Sequence, residues 1–338
     1  MKNKRWRTKF SRIHAQYPLK FIPTKGHAER LAVAYMISYG GGIVSGDRFN
    51  VNVEILENAI LLLMTQGNTK VFRDRIQQRK WMTLLAQREH PSLPAKGLVP
   101  MVTAKTTSDK RPAILEDVSL QAIRSTISRH GLLISMPDPV TSFQDSSFTS
   151  RQQIYLEDAS SQLVLLDWFT SGRLSRGESW AFKYYASRID VHVNGRLRIK
   201  DHMVLEDDGS LNTGQDTPNS PDSPTPFVPS GSYAAKLRPY TCFATLVIVS
   251  RHDPAAPLYQ SIQRMLQLAE ADRLMPNNLQ KRKDLLWSIS PCLDHQRGLL
   301  IRIAGMTTEM VRDFVKQECL GQGLKSIVGE GMFSKILM

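Results

Sequence analysis

Residues Tyr39–Lys70 read YGGGIVSGDRFNVNVEILENAILLLMTQGNTK, and the pattern within them decides the fold class. Gly40, Gly41 and Gly42 open the stretch, and Gly46 leads into Asp47-Arg48. Val51, Val53 and Ile55 then alternate with Asn52, Glu54 and Leu56, the period of two expected of a strand with one buried face. Glu57-Asn58 is a turn-forming pair. Beyond it, the apolar run Ile60–Met64 predicts a buried strand that ends in the polar cluster Thr65-Gln66-Gly67-Asn68-Thr69-Lys70. The predicted order is glycine turn, acid–base pair, strand, turn, buried strand, polar loop.

Two phosphate-binding motifs fail on the same residues. Gly41 and Gly46 have the spacing of a P-loop, but Asp47 stands where the lysine belongs and would repel an anion. The dinucleotide fingerprint lacks its third glycine, because Ser45 occupies that position, and a strand follows in place of a helix. The glycines instead suit a sheet corner, where positive φ and close backbone approach are needed.

The 338 residues are 41% hydrophobic, which is enough for a sizeable core. The formal charge of +13 favours an acidic partner or nucleic acid, although eight Lys and Arg precede the first acid, Glu29. Cys242, Cys292 and Cys319 form no CxxC pair, and the histidines show no metal-ligand spacing. This argues for a reducing compartment and predicts no tight metal site. No apolar run is long enough for a membrane helix. The N-terminus lacks an apolar h-region, so residues 1–16 read as a basic tail.

Further along, Tyr17–Pro23 predicts an extended edge segment and Ala32–Ser38 a buried strand. Arg73, Arg75, Arg79, Lys80 and Arg88 surround Trp81, which suits a solvated face. The proline-rich stretch 89–113 predicts an inserted, disordered loop. Gly131–Met136 reads as a strand stopped by Pro137-Asp138-Pro139, a rigid turn that presents a carboxylate. Leu163–Thr170 is apolar except for Asp167, so that carboxylate needs a partner, and the loop Gly172-Arg173-Leu174-Ser175-Arg176-Gly177-Glu178 offers two arginines. Asn194-Gly195 between alternating runs predicts a type I′ hairpin. Residues 206–232 carry five prolines and five acids with almost nothing apolar, so a second disordered insertion is expected. Helical spacing over Ala256–Arg273, and a cap at Thr307 or Thr308, predict two helices in the C-terminal half. Many strands with helices segregated late make the chain mainly β.

Motifs for enzymatic chemistry are missing, with no GxSxG elbow, HExxH or phosphate loop. A binding or assembly protein fits better than an enzyme. Two rivals carry less support: a basic nucleic-acid-binding protein, resting on charge alone, and a β-rich hydrolase using Asp138 and Glu178.

Several blocks in order, YPLKFI, YGGGIVSGDRFNVNVEI, TQGNTKVF, LLISMPDPVTSF and LVLLDWFTSGRLSRGESWAF, resemble the urease accessory protein D family (UreD, or UreH). The resemblance implies a cytoplasmic, non-enzymatic chaperone that forms a complex with UreF, the GTPase UreG and the urease apoprotein, and delivers nickel to urease. It implies a layered, β-helix-like stack of strands as a single domain over 17–338, from which the segments 89–113 and 206–232 project. No cofactor is expected to bind tightly, and nickel is cargo in transit. Asp47, Asp138 and Glu178 become candidate carboxylates on a metal or water path. Gly40, Gly41, Gly42, Gly46, Arg48, Thr65, Gln66, Thr69 and Lys70 are motif positions with structural roles, as are Pro137, Asp167, Gly172, Arg173, Arg176 and Gly177. Scattered oxygen ligands suit a passage better than a His/Cys cage, which would trap the ion.

Overall fold

The computed structural model describes residues 7–25, 28, 30–74, 118–206, 233–274 and 283–338. The loop 89–113, residues 207–232 of the second insertion, and the arginine-rich stretch from Arg75 to Arg88 lie outside them. Strand β1 (Leu19–Thr24) is an edge strand, as its prolines predict, and pairs antiparallel with β2 (Leu31–Ser38). From there the chain runs three similar circuits. The first is β2, β3 (Gly42–Ile43) and β4 (Arg48–Ile55). The second is β5 (Ile60–Thr65), β6 (Thr69–Val71) and β7 (Ser119–Ile127), and the third is β8 (Leu132–Met136), β9 (Val140–Ser142) and β10 (Ser147–Leu156). A fourth circuit consists of β11 (Gln162–Thr170) and β12 (Tyr184–Val193), after which β13 (Arg196–Glu206) folds back antiparallel.

Equivalent strands of successive circuits stack in parallel, giving β2-β5-β8-β11, β3-β6-β9 and β4-β7-β10-β12. This is the layered, β-helix-like arrangement that the resemblance implied. Apolar ladders hold the register: Ile55, Ile127, Leu156 and Val193 align across the second sheet. A slip by one residue would turn each of those side chains to solvent.

The chain then adds α1 (Tyr233–Leu237), β14 (Cys242–Val249), α2 (Pro257–Leu274), β15 (Leu285–Cys292) and β16 (Gly298–Gly305). After them come α3 (Thr308–Asp313), a π-helical turn Phe314–Cys319, α4 (Gly321–Val328) and α5 (Glu330–Phe333). Strands β14, β16 and β15 extend the first sheet antiparallel from β11. The result is three layers: C-terminal helices, the first sheet, and the second sheet. One core lies between helices and first sheet, with Leu166, Leu246 and Ile301 facing Ile262, Met265 and Val315. Another lies between the sheets, where Val51, Ile123 and Ile189 meet Leu163, Leu165 and Val247. Because the middle of the first sheet is covered on both sides, its central strands β5, β8 and β14 read as mainly apolar runs, as does β11 apart from Asp167, whereas β4 alternates.

Both expected helices are present as α2 and α3, and Thr307 caps α3 by accepting from the Met310 N–H at 3.3 Å. Three expectations need adjustment. The helices α1, α4 and α5 are additional. The polar loop at Thr65–Lys70 contains the short strand β6. The hairpin forms at Asn194-Gly195 with both residues at positive φ, but a bulge at Val191/His192 leaves Leu197 47% exposed while Ile199 is buried.

Candidate functional site

The circuits bend at a common level, and the bends line up as a seam. Its steps are Tyr39-Gly40-Gly41 between β2 and β3, Gln66-Gly67-Asn68 between β5 and β6, and Pro137-Asp138-Pro139 between β8 and β9. Strand β11 runs straight past the seam, pairing with β8 through Gln162–Leu165 and with β9 through Phe169 and Thr170. Asp167 falls in the interval between those two pairings.

Hydrogen bonds tie the steps of the seam together. Asp138 Oδ2 accepts from the Gly67 N–H at 2.7 Å and from the Thr65 hydroxyl at 3.3 Å, while Thr65 Oγ1 accepts from the Asp138 N–H at 2.7 Å. The Thr69 N–H donates to the Pro139 carbonyl, and Trp168 Nε1–H donates to the Pro137 carbonyl at 2.8 Å. Partial burial raises the Asp138 pKa, against the two hydrogen bonds that favour its charged form.

Three cavities meet here. One of ≈ 70 Å³ lies against Gly41, Gly42 and Gln66, and one of ≈ 440 Å³ opens beside Gln66, Asp138 and Leu337. A third, of ≈ 30 Å³, sits between the sheets and is lined by Thr69, Gln121, Gln152, Asp138 and Asp167. Thr65 borders all three, and Asp138 borders the second and third. The inner cavity has room for one or two water-sized particles. Gln121, Ser150 and Gln152 point inward at positions where a strand of this sheet would otherwise place apolar side chains.

Asp167 does not pair with the arginines of the following loop. Its carboxylate accepts from the Ser187 hydroxyl of β12 across the inter-sheet space. Desolvation, helped by the nearby charge of Asp201, raises its pKa. The loop arginine goes to Glu178 instead: Arg173 Nε donates to Oε2 at 2.8 Å, and a second bond runs from Nη2 to Oε1. That bidentate pair holds the turn flanked by Gly172 (φ 142) and Gly177 (φ 73), and it lowers the Glu178 pKa. Arg176 is exposed in the 3-10 turn of this loop. Asp47 closes its own turn, accepting from the Val44 N–H at 2.9 Å. Neither Asp47 nor Glu178 borders the three cavities, so of the acids picked out as a path only Asp138 lies there, joined by Asp167.

The sequence offered one usable signal for Asp167, a lone carboxylate inside an apolar run, and another for Gln152, a polar residue at a core-facing step of an alternating run. It offered none for Ser187. Among the described residues, no group of three or more His, Cys, Asp or Glu is placed to hold a metal ion. Burial raises the thiol pKa of Cys242 to about 12 and of Cys292 to about 11, so both stay protonated and inert at neutral pH. Among the described residues, no helix is long and apolar enough to cross a membrane.

The family model described as UreD urease accessory protein matches residues 1–320. The chain belongs to that family. Relatives include urease accessory protein 4 of Cryptococcus neoformans, 27% identical over 97% of this chain and 90% of the relative. UreD of Sorangium cellulosum is 27% identical over 92% of this chain and 74% of its own length. Urease accessory protein D of Arabidopsis thaliana is 25% identical over 95% of this chain and 93% of its own length. The family is one of accessory proteins and not of known enzymes. The UreD match contains the whole seam, with Thr65, Asp138 and Asp167, and ends just before α4 and α5.

Proposed function

We propose that this chain acts in the maturation of urease as a non-enzymatic scaffold, in the cytoplasm, through which nickel passes on its way to the apoprotein. UreF, the GTPase UreG and apo-urease are its proposed partners, and nickel is cargo with no resident site. One observation carries the reading: the cavities along the seam converge on Thr65 and Asp138, with Asp167 on the inner cavity. Apart from the Lys335 ammonium and methionine thioethers of the lining, the polar side chains there offer oxygen or amide donors. Nickel prefers imidazole and thiolate, so such a lining holds it weakly and lets it leave. On this reading Asp47 and Glu178 serve the passage indirectly, by fixing the turns beside it.

Complementation with Asp138→Asn tests the passage. The variant keeps the shape of the seam and loses the charge, so it is expected to assemble normally while restoring less than a tenth of wild-type urease activation at limiting nickel. Full activation by Asp138→Asn would remove Asp138 from the path.

A further inference from the structure

The second sheet has an outer face that no described helix covers. Parallel sheets are ordinarily covered on both sides. Here β4, β7, β10 and β12 run parallel, yet the helices pack on β14, β15 and β16 of the other sheet. This face, open among the described residues, is basic at its centre. Arg151 stands directly opposite Arg188, and Arg188 opposite His202, so three basic residues share one row across β10, β12 and β13. Like charges directly opposite each other in a sheet are destabilising. One carboxylate, Asp190, relieves that row by accepting from Arg188 Nε at 2.7 Å, and Arg151 has no ion pair among the described residues. Arg124 lies over the ring of Tyr155, 4.6 Å from its centroid, and Tyr155 stacks on His192 at 4.7 Å. The same face also contains, among the described residues, two buried polar atoms without hydrogen-bond partners, Asp190 Oδ1 and His192 Nδ1.

The size of the face suits a protein. Five strands about 4.8 Å apart and roughly eight residues long, at about 3.3 Å per residue, span on the order of 600 Å². That is the lower end of the roughly 600–1,000 Å² that a stable interface buries on each partner. The chemistry also favours protein over nucleic acid. The Tyr155 ring is already engaged by Arg124 and His192, which leaves it poorly placed to stack on a base. On β13, Val204 is 45% exposed and supplies apolar contact. We propose that this face docks an acidic surface of a protein partner in the maturation assembly. The assignment rests on the maturation role proposed above.

The test compares the full-length chain with its Arg124→Glu/Arg151→Glu variant, both changes being at exposed positions. The probes are apo-urease and the UreF protein from the same organism, with binding measured by calorimetry at low and moderate salt. The wild type is expected to bind one of them with affinity that falls as salt rises, and the variant to bind it at least tenfold more weakly with an unchanged melting temperature. Arg124→Lys/Arg151→Lys should retain most of the affinity. Equal binding by wild type and charge-reversed variant overturns the docking face while leaving the maturation role intact. Failure of the wild type to bind either protein counts against the maturation role, and the docking proposal falls with it. Wild-type binding to duplex DNA or poly(U) that the variant loses reassigns the face to nucleic acid. Self-association of the wild type that the variant abolishes reassigns it to a second copy of the chain.

Discussion

Gly41 and Gly42 are neighbours in the motif and resist replacement for different reasons. Gly41 sits at φ 75 with open space around it, so alanine meets only backbone strain. A Cβ on Gly42 would lie 2.3 Å from the Lys70 carbonyl and 2.8 Å from the Phe72 ring, between β3 and β6. Gly41→Ala is expected to cost about 1–2 kcal/mol, and Gly42→Ala about 3 kcal/mol or more because backbone must move. Urea denaturation of the two variants checks the order. The carboxylates give opposite pH signatures. Glu178 is held below its ordinary pKa by Arg173, so its contribution is fully present above that ordinary value and is lost as pH falls through the lowered one. Glu178→Gln should therefore cost about 1–2 kcal/mol at neutral pH, with its denaturation midpoint converging on that of the wild type toward the acid end. Asp167 is raised, so its ionisation opposes folding increasingly as pH climbs through and above the ordinary aspartate value. Asp167→Asn should stabilise the chain by on the order of 1 kcal/mol at pH 7, and the gain should shrink as pH is lowered.

At the scale of elements, β11 carries the most consequence, because it pairs with β8, β9 and β14 and so joins two of the three parallel stacks to the antiparallel extension. Leu166 on this strand is fully buried, whereas Leu56 just after β4 is 61% exposed. Leu166→Ala is expected to cost about 3–5 kcal/mol and Leu56→Ala less than about 0.5 kcal/mol, measured by chemical denaturation. That contrast was legible in the sequence, since Leu56 falls on the polar phase of an alternating run and Leu166 in an unbroken apolar one. The three short strands β3, β6 and β9 were not legible, because two or three residues carry no measurable period. Nor was the partner of Asp167. The loop arginines are near in sequence, but a strand side chain that points between sheets meets what the opposite sheet offers, here Ser187. The bulge at Val191/His192 likewise changed the facing of Leu197 in a way that alternation alone could not supply.

For the whole molecule, the seam explains why turn-forming residues stand at matching points of successive circuits, Gly40 and Gly41 in the first, Gly67 in the second, Pro137 and Pro139 in the third. A chain that bends at one level three times must find turn residues there each time, and the bends leave gaps that close-packed strands would not. The same gaps form the cavities around Thr65, Asp138 and Asp167. The glycine-rich stretch is thus a corner in one step of the seam, with Gly41 and Gly42 on a cavity wall and Asp47 turned back onto Val44. The most direct measurement of the proposed role is urease activity in a strain lacking this chain, with urease protein quantified in parallel and growth with and without added nickel. Urease protein at wild-type level with activity lost, and restored by the wild-type chain, is the predicted result. Normal urease activity in the deletion strain would contradict it.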